Sequence, residues 1–268
     1  MDEFSQQATV RILVLNPNSS TDMTLGVENA IHSIGLPKFF QLSTYTAPKD
    51  SPASINDGGD LRKSTEVVLA TFDVEHAARS YDAILVACFS VHPLVTELTK
   101  RLAGTKVTVT GIFEASVVTA LMLLPAYPFG AGMPGKTWGI VTTGKFWEQH
   151  LMDGAAAYLG QQQGGPKSSK FTGVYSTGLD AGDFHGGVSP EVIRAKLKEA
   201  TKSLLSSSNV GCVVMGCAGM AGLEAIIRDV AQEEYGVEAG NQVFIVDGVK
   251  AGVGLLDQAV KNARLFQE

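Results

Sequence analysis

Short, uninterrupted apolar runs alternate along this chain with stretches of helical periodicity, and that alternation leaves few folds open. Runs of strand character stand at 11–15, 83–87, 107–110, 138–142, 212–216 and 243–246. Helical patterns lie between them at 64–79, 93–102, 115–124, 146–159, 190–205 and 222–235. Strands this apolar are buried on both faces, and β and α alternating at this spacing predict an α/β fold with parallel sheets and helices on both faces. Ser189 followed by Pro190 supplies an N-cap and a proline at the first helical position. Either Ser19 or Ser20 is placed to cap a helix after the first strand, with Asp22 near its positive end.

The pattern repeats. Ile12-Leu13-Val14-Leu15-Asn16 is echoed by Trp138-Gly139-Ile140-Val141-Thr142, and Ile84-Leu85-Val86-Ala87-Cys88 by Val213-Val214-Met215-Gly216-Cys217. Asn16 precedes Cys88 by 72 positions and Thr142 precedes Cys217 by 75. The next intervals, Cys88 to Ala115 and Cys217 to Ala251, differ more, at 27 against 34. Two halves of common design set their strand ends face to face, and ligands of open α/β sheets bind at those carboxyl ends. Each half then delivers one thiol to a shared cleft.

Composition limits what such a cleft serves. With 45% hydrophobic and 18% charged residues over 268 positions, the chain buries substantial cores. A net charge of −6 and the lack of a basic cluster argue against a nucleic-acid partner. No apolar run reaches the ~20 residues that span a bilayer. The polar, acidic start through Gln7 reads as neither a signal nor a transit peptide. Three cysteines without CxxC spacing fit free thiols in a reducing cytoplasm better than a disulfide framework. Segment 161–169 has loop composition.

Gly130-Ala131-Gly132-Met133-Pro134-Gly135-Lys136-Thr137 matches the pattern of a phosphate-binding P-loop. That loop needs a strand before it and a helix after it. Here the order is reversed, so the segment reads as a turn into a strand.

Several residues flank the cysteines. Asn16 can offer a donor and an acceptor to an amide-like ligand, or can simply build its turn. Thr142 and Thr143 stand at the echoed position. Backbone amides after Cys88 and Cys217, with the Ser90 hydroxyl, suit an anionic oxygen and a lowered thiol pKa. Cys212, in mid-strand, reads as an inert core residue. His92 is a loop or helix-start residue able to tune Cys88 or to serve structure alone, and Glu114 is a support or a contact for a ligand N–H.

Asn16-Pro17-Asn18-Ser19-Ser20, Pro52-Ala53-Ser54-Ile55, Ala87-Cys88-Phe89-Ser90, Gly111 with Glu114-Ala115, Ser176-Thr177-Gly178-Leu179 and Gly216-Cys217-Ala218-Gly219-Met220 together resemble the hydantoin racemase and allantoin racemase branch of the Asp/Glu racemase superfamily. The resemblance implies two pseudo-symmetric flavodoxin-like domains, 1–110 plus a returning 222–268, and 111–221, with the site between them. It implies a cytoplasmic isomerase of purine catabolism that needs no cofactor and no metal. Its substrate would be a hydantoin-like cyclic ureide, and its assembly a homo-oligomer. Cys88 and Cys217 would be the two catalytic bases. Substrate contacts would come from Asn16, Ser54, Ile55, Phe89, Ser90, Glu114, Thr142, Thr143, Ala218 and Gly219. Many relatives carry Asp three residues after the first cysteine, where this chain has Val91; that departure bears on the substrate rather than the mechanism. Alternatives sharing the fold are a decarboxylase or a cis–trans isomerase. Outside it stand a nucleotide-binding protein using 130–137 and a non-enzymatic small-molecule binder.

Overall fold

The computed structural model describes residues 9–35, 40–126, 135–161 and 168–267. The first half holds β1 (Val10–Asn16), β2 (Phe40–Thr46), β3 (Ala83–Val86) and β4 (Thr108–Gly111), joined in the order β2-β1-β3-β4. The second holds β5 (Thr137–Thr142), β6 (Phe171–Ser176), β7 (Val210–Gly216) and β8 (Phe244–Asp247), in the order β6-β5-β7-β8. Every pairing is parallel and the two orders are the same, so the echo in sequence is an echo in topology. In each sheet the order reverses between the first and third strands, and there the chain leaves its crevice.

Two strands escape a reading of the sequence. β2 (Phe-Gln-Leu-Ser-Thr-Tyr-Thr) and β6 (Phe-Thr-Gly-Val-Tyr-Ser) are edge strands whose residues are mostly half-buried, so neither carries a continuous apolar run. The helix expected over 64–79 is two: α2 (Gly58–Thr71) ends at an extended Phe72, and Asp73 caps α3 (Val74–Ser80) by accepting from His76 N. The other expected helices form with ends within three residues of their signals, whereas the helices at Val237–Asn241 and Gly248–Phe266 lie outside the expected set. Ser20 caps α1 (Thr21–His32), and His92 caps α4 (Pro93–Arg101). Then come α5 (Ile112–Leu123), α6 (Phe146–Tyr158) and α7 (Pro190–Ser207), the last capped by Ser189. α8 (Glu224–Tyr235), α9 (Val237–Asn241) and α10 (Gly248–Phe266) complete the chain. Among the described residues no helix is long and apolar enough to cross a membrane.

One apolar core runs from the first sheet into the second. Ile12, Val14 and Leu85 join Ile112, Val117, Val253 and Leu256, and these join Trp138, Ile140 and Val214. The outer faces have separate cores around Leu94 and Leu98 in one half and Leu197 and Leu204 in the other. Each fully buried aliphatic side chain contributes about 1.5–3 kcal/mol. α10 packs on α5 and against β1, β3 and β4, and at Gly252 an added Cβ would stand 2.5 Å from Leu85 Cδ1. β8 pairs with β7, and α8 lies against α7, α9 and β8. Segment 222–247 therefore lies with the second sheet, and the return to the first begins at Gly248, later than the expected 222. On this packing we propose units of 10–111 with 248–266, and 137–247, with α5 between them.

Gly130 to Pro134 of the P-loop match, and 162–167 of the expected loop, lie outside the described residues. Gly135 and Lys136 lead directly into β5, an order of loop then strand.

Candidate active site

The ends of β1 and β3 face those of β5 and β7, and the loops leaving them enclose a narrow cavity. It holds about 470 Å³ of space between atoms, its open mouth included. Cys88 and Cys217 both line it, as do Asn16, Ile55, Phe89, Thr143, Ala218 and Gly219 from the expected set. Asn18, Met23, Val27, Trp147 and Ala181 line it as well. Among the described residues that line the cavity, no side chain carries a charge.

Each thiol is placed by the turn that ends its strand. Beyond β3, Ala87 N still donates to Leu15 O, and Ser90 N then closes a turn on Cys88 O at 3.0 Å. The Ser90 hydroxyl donates to Cys88 Sγ at 3.4 Å, so its hydrogen bond is to the thiol and it does not line the cavity. Beyond β7, Cys217 caps the 3-10 turn Ala218–Met220, and Gly219 N donates to its sulfur at 3.3 Å. Gly216 before it has no room for a side chain: a Cβ there would meet Val141 O at 2.8 Å.

The expected lowering of the thiol pKa values does not occur. Burial pushes Cys88 up to about 12; Ser90 opposes this, and the charges of Cys217 and Glu114 add to it. Burial likewise pushes Cys217 up to about 11, against the Gly219 and Met220 amides that favour its thiolate. Amide donors assist a thiolate, but desolvation of the charge outweighs them here. Because a charge on Cys217 raises Cys88, the pair titrates as a unit in which one thiolate discourages the other.

The remaining expected contacts divide. Asn16 reaches the cavity, yet its Nδ2 donates to Asn18 Oδ1, Ser20 O and Thr24 Oγ1, and its Oδ1 accepts from Asn18 N. Its amide builds the turn. Asn18 Nδ2 has a weaker partner, the Met23 sulfur at 3.0 Å, which leaves it the stronger candidate donor. The Thr142 hydroxyl donates to Gly216 O at 2.9 Å and ties β5 to β7, whereas Thr143 faces the cavity. Ser54 donates to Asn56 Oδ1 and does not line the cavity. Glu114 stands outside it too: its Oε2 is buried without a hydrogen-bond partner among the described residues, and burial raises its carboxyl to about 7. His92 accepts from Leu94 N at Nδ1, so Nε2 carries the proton toward Ser64 Oγ at 3.1 Å. Burial lowers this imidazole to about 3, so it is a neutral helix cap rather than a charge beside Cys88.

The residues that sequence reasoning missed carry uneven signals. Asn18 lies two positions after Asn16, and Met23 and Val27 share a face of α1 at i,i+4 spacing. That this face meets a cavity rather than core follows only from the second half lying opposite. Cys212 is fully buried in β7 and does not line the cavity. Cys212→Ala is expected to cost about 1 kcal/mol in thermal or denaturant unfolding and to leave turnover and ligand binding at the parent level.

A family model described as Asp/Glu/Hydantoin racemase matches residues 12–256. An uncharacterised Schizosaccharomyces pombe protein is 32% identical over 94% of this chain and 92% of its own length. A hydantoin racemase of a Pseudomonas species is 27% identical over 94% of this chain and 86% of its own. Among solved structures, an allantoin racemase from Klebsiella pneumoniae superposes with a TM-score of 0.71 at 22% identity, covering 95% of this chain and 89% of that one.

Proposed function

The chain belongs to the Asp/Glu/hydantoin racemase family, and we propose on that premise that it inverts C5 of allantoin or another 5-substituted hydantoin with Cys88 and Cys217 as a two-base pair. The observation that carries this reading is the delivery of one thiol from each pseudo-equivalent strand end into a single uncharged cavity. A hydantoin ring is neutral, and its C5 hydrogen stands next to a carbonyl. A thiolate removes that proton as a general base, leaving an enolate; the opposite thiol returns its own proton to the other face. One thiol and one thiolate stand before and after, with their places exchanged.

Asn18 Nδ2, the Thr143 hydroxyl and backbone amides beside the thiols supply donors for the enolate oxygen. A well-placed donor of this kind contributes on the order of 3 kcal/mol to the transition state. Met23, Val27, Ile55, Trp147 and Ala181 supply apolar wall for the C5 substituent.

Single enantiomers of allantoin and several 5-substituted hydantoins, incubated in deuterated water, provide the test. Loss of optical rotation with loss of the C5–H signal is expected for at least one of them. No exchange with any member of the set would overturn the assignment.

The raised thiol pKa values give this reading a pH signature. Below both values the thiolate fraction rises tenfold per pH unit, so kcat/KM should climb with a slope near one from about pH 6 to about pH 8, where the imide N–H of the ring is still protonated. Stability moves the other way. A thiol held above its unfolded value of 9.0 contributes fully below that pH, and its contribution fades as pH rises through about 11 to 12. Initial rates corrected for buffer-catalysed racemisation, beside melting temperatures followed above the unfolded thiol value, check both slopes.

A further inference from the structure

Where the two halves touch, part of the cavity wall comes from two loops that each belong firmly to their own sheet. After β2, Ala47 N donates to Asn16 O, Ser19 N to Pro52 O, and the Ser51 hydroxyl to Pro17 O, so 47–52 is stitched to the loop after β1. After β6, Thr177 N donates to Thr142 O and Gly178 N to Thr143 O, which stitches that loop to the end of β5. Between these two bodies runs a hydrogen bond spanning 125 positions, from Ala181 N to Asn56 Oδ1 at 3.2 Å. The same oxygen accepts from Ser54 at 3.1 Å, and Asn56 N donates to Asp60 Oδ2 at 2.9 Å, so Asn56 is held in place from its own side. Ile55 and Ala181, its neighbours on either side of the joint, both line the cavity. Beside the joint, an added Cβ on Gly58 would rest 3.6 Å from the Phe146 ring of the other half.

Each loop is tied to its own sheet, so the joint is a contact between the two halves rather than a loose loop laid over the cavity. The chain crosses between halves at α5 and α10, which pack on one another on the side where the two sheets share a core. We propose that Asn56 is a positioning residue that clasps the two halves over the cavity, and that breaking its bond to Ala181 admits the ligand. This rests on the cavity being the reaction site. Its test reads access to the cavity rather than turnover, so it stands or falls apart from the substrate assignment.

The joint can be locked. A Cβ at Gly182 lies 3.9 Å from Ser54 Cβ, inside the range of about 3.5–4.5 Å that a disulfide requires. Ser54→Cys with Gly182→Cys is oxidised, and the engineered pair is verified by peptide mass. Iodoacetamide alkylation of Cys88 and Cys217 is then followed by peptide mass, oxidised against reduced, across about pH 8 to 10. Below both thiol values a change in ionisation scales alkylation by any reagent alike, so the bulkier N-ethylmaleimide is run beside iodoacetamide, and a change in access slows the bulkier reagent more. Expected is at least a roughly tenfold slowing in the locked form, with recovery on reduction. In the otherwise unmodified chain, Asn56→Ala should speed alkylation several-fold, while Asn56→Asp, which keeps an acceptor for Ala181 N, should stay near the parent rate. Equal rates in locked and reduced protein would overturn the proposal. If the pair does not form, equal rates for Asn56→Ala and the parent overturn it instead.

Discussion

Replacing Cys88 or Cys217 by alanine is expected to reduce inversion of the preferred hydantoin at least ~10³-fold, within the range a positioned acid or base supplies and equivalent to about 4 kcal/mol of barrier. The loss should be the same for either residue. Inversion requires a proton off one face and a proton onto the other, and the two-base proposal assigns one thiol to each face. The two variants should differ in what they retain. With Cys88→Ala, Cys217 still receives the Gly219 N–H at its sulfur and can remove and return a proton on its own face. One enantiomer then exchanges its C5 hydrogen for deuterium without losing optical activity, and the other variant does so with the opposite enantiomer. Polarimetry beside proton spectra of both enantiomers checks this. Normal racemisation by either variant would sink the two-base reading, whatever the substrate.

Gly216→Ala carries the second large effect, and it acts through geometry. The new Cβ would lie 2.8 Å from Ile140 Cγ2, 2.8 Å from Val141 O and 2.9 Å from Thr142 Cβ. Two of these contacts are to the body of β5 rather than the tip of a flexible side chain, so β7 must move away from β5 to relieve them. Overpacking of this kind costs about 1–3 kcal/mol, read as a fall of a few degrees in melting temperature. Cys217 is the next residue, so the same shift carries its sulfur off line. A displacement near 1 Å is worth about 10²-fold in rate. Turnover should therefore fall further than stability alone explains, in protein that is still folded at the assay temperature. Gly254→Ala is the control: it sits in α10 with none of the described residues within 4 Å of an added Cβ. That change should raise stability by up to about 1 kcal/mol and leave the rate alone.

Both predictions concern the ends of buried strands, the positions that stand out most clearly along the chain. Cys88 and Cys217 are conspicuous because each ends such a strand and the strands echo one another. Cys212, the same residue type five positions earlier on the same strand, is set aside by position alone, and it lies fully in the core. Caps are legible for a related reason: Ser20 and Ser189 act on amides three residues away, and that chemistry is written within one turn. Where two signals compete, local reading fails. The apolar periodicity of 64–79 overrides the capping signal of Asp73, yet the chain in fact breaks there.

The sequence by itself determined the parallel α/β plan, the duplicated design and the two strand-end thiols, because these depend on periodicities of two to four residues and on comparing one half with the other. The tertiary structure alone decided the edges, the cavity wall and the ionisation. β2 and β6 are strands because β1 and β5 offer them partners, not because their own residues demand it. Asn16 builds its turn and Asn18 offers the freer amide, because Asn16 has Ser20 and Thr24 within reach and Asn18 Nδ2, among the described residues, donates to a sulfur. The thiols sit high because both halves close around them, and desolvation is a sum over everything that packs nearby. No window along the chain contains that sum.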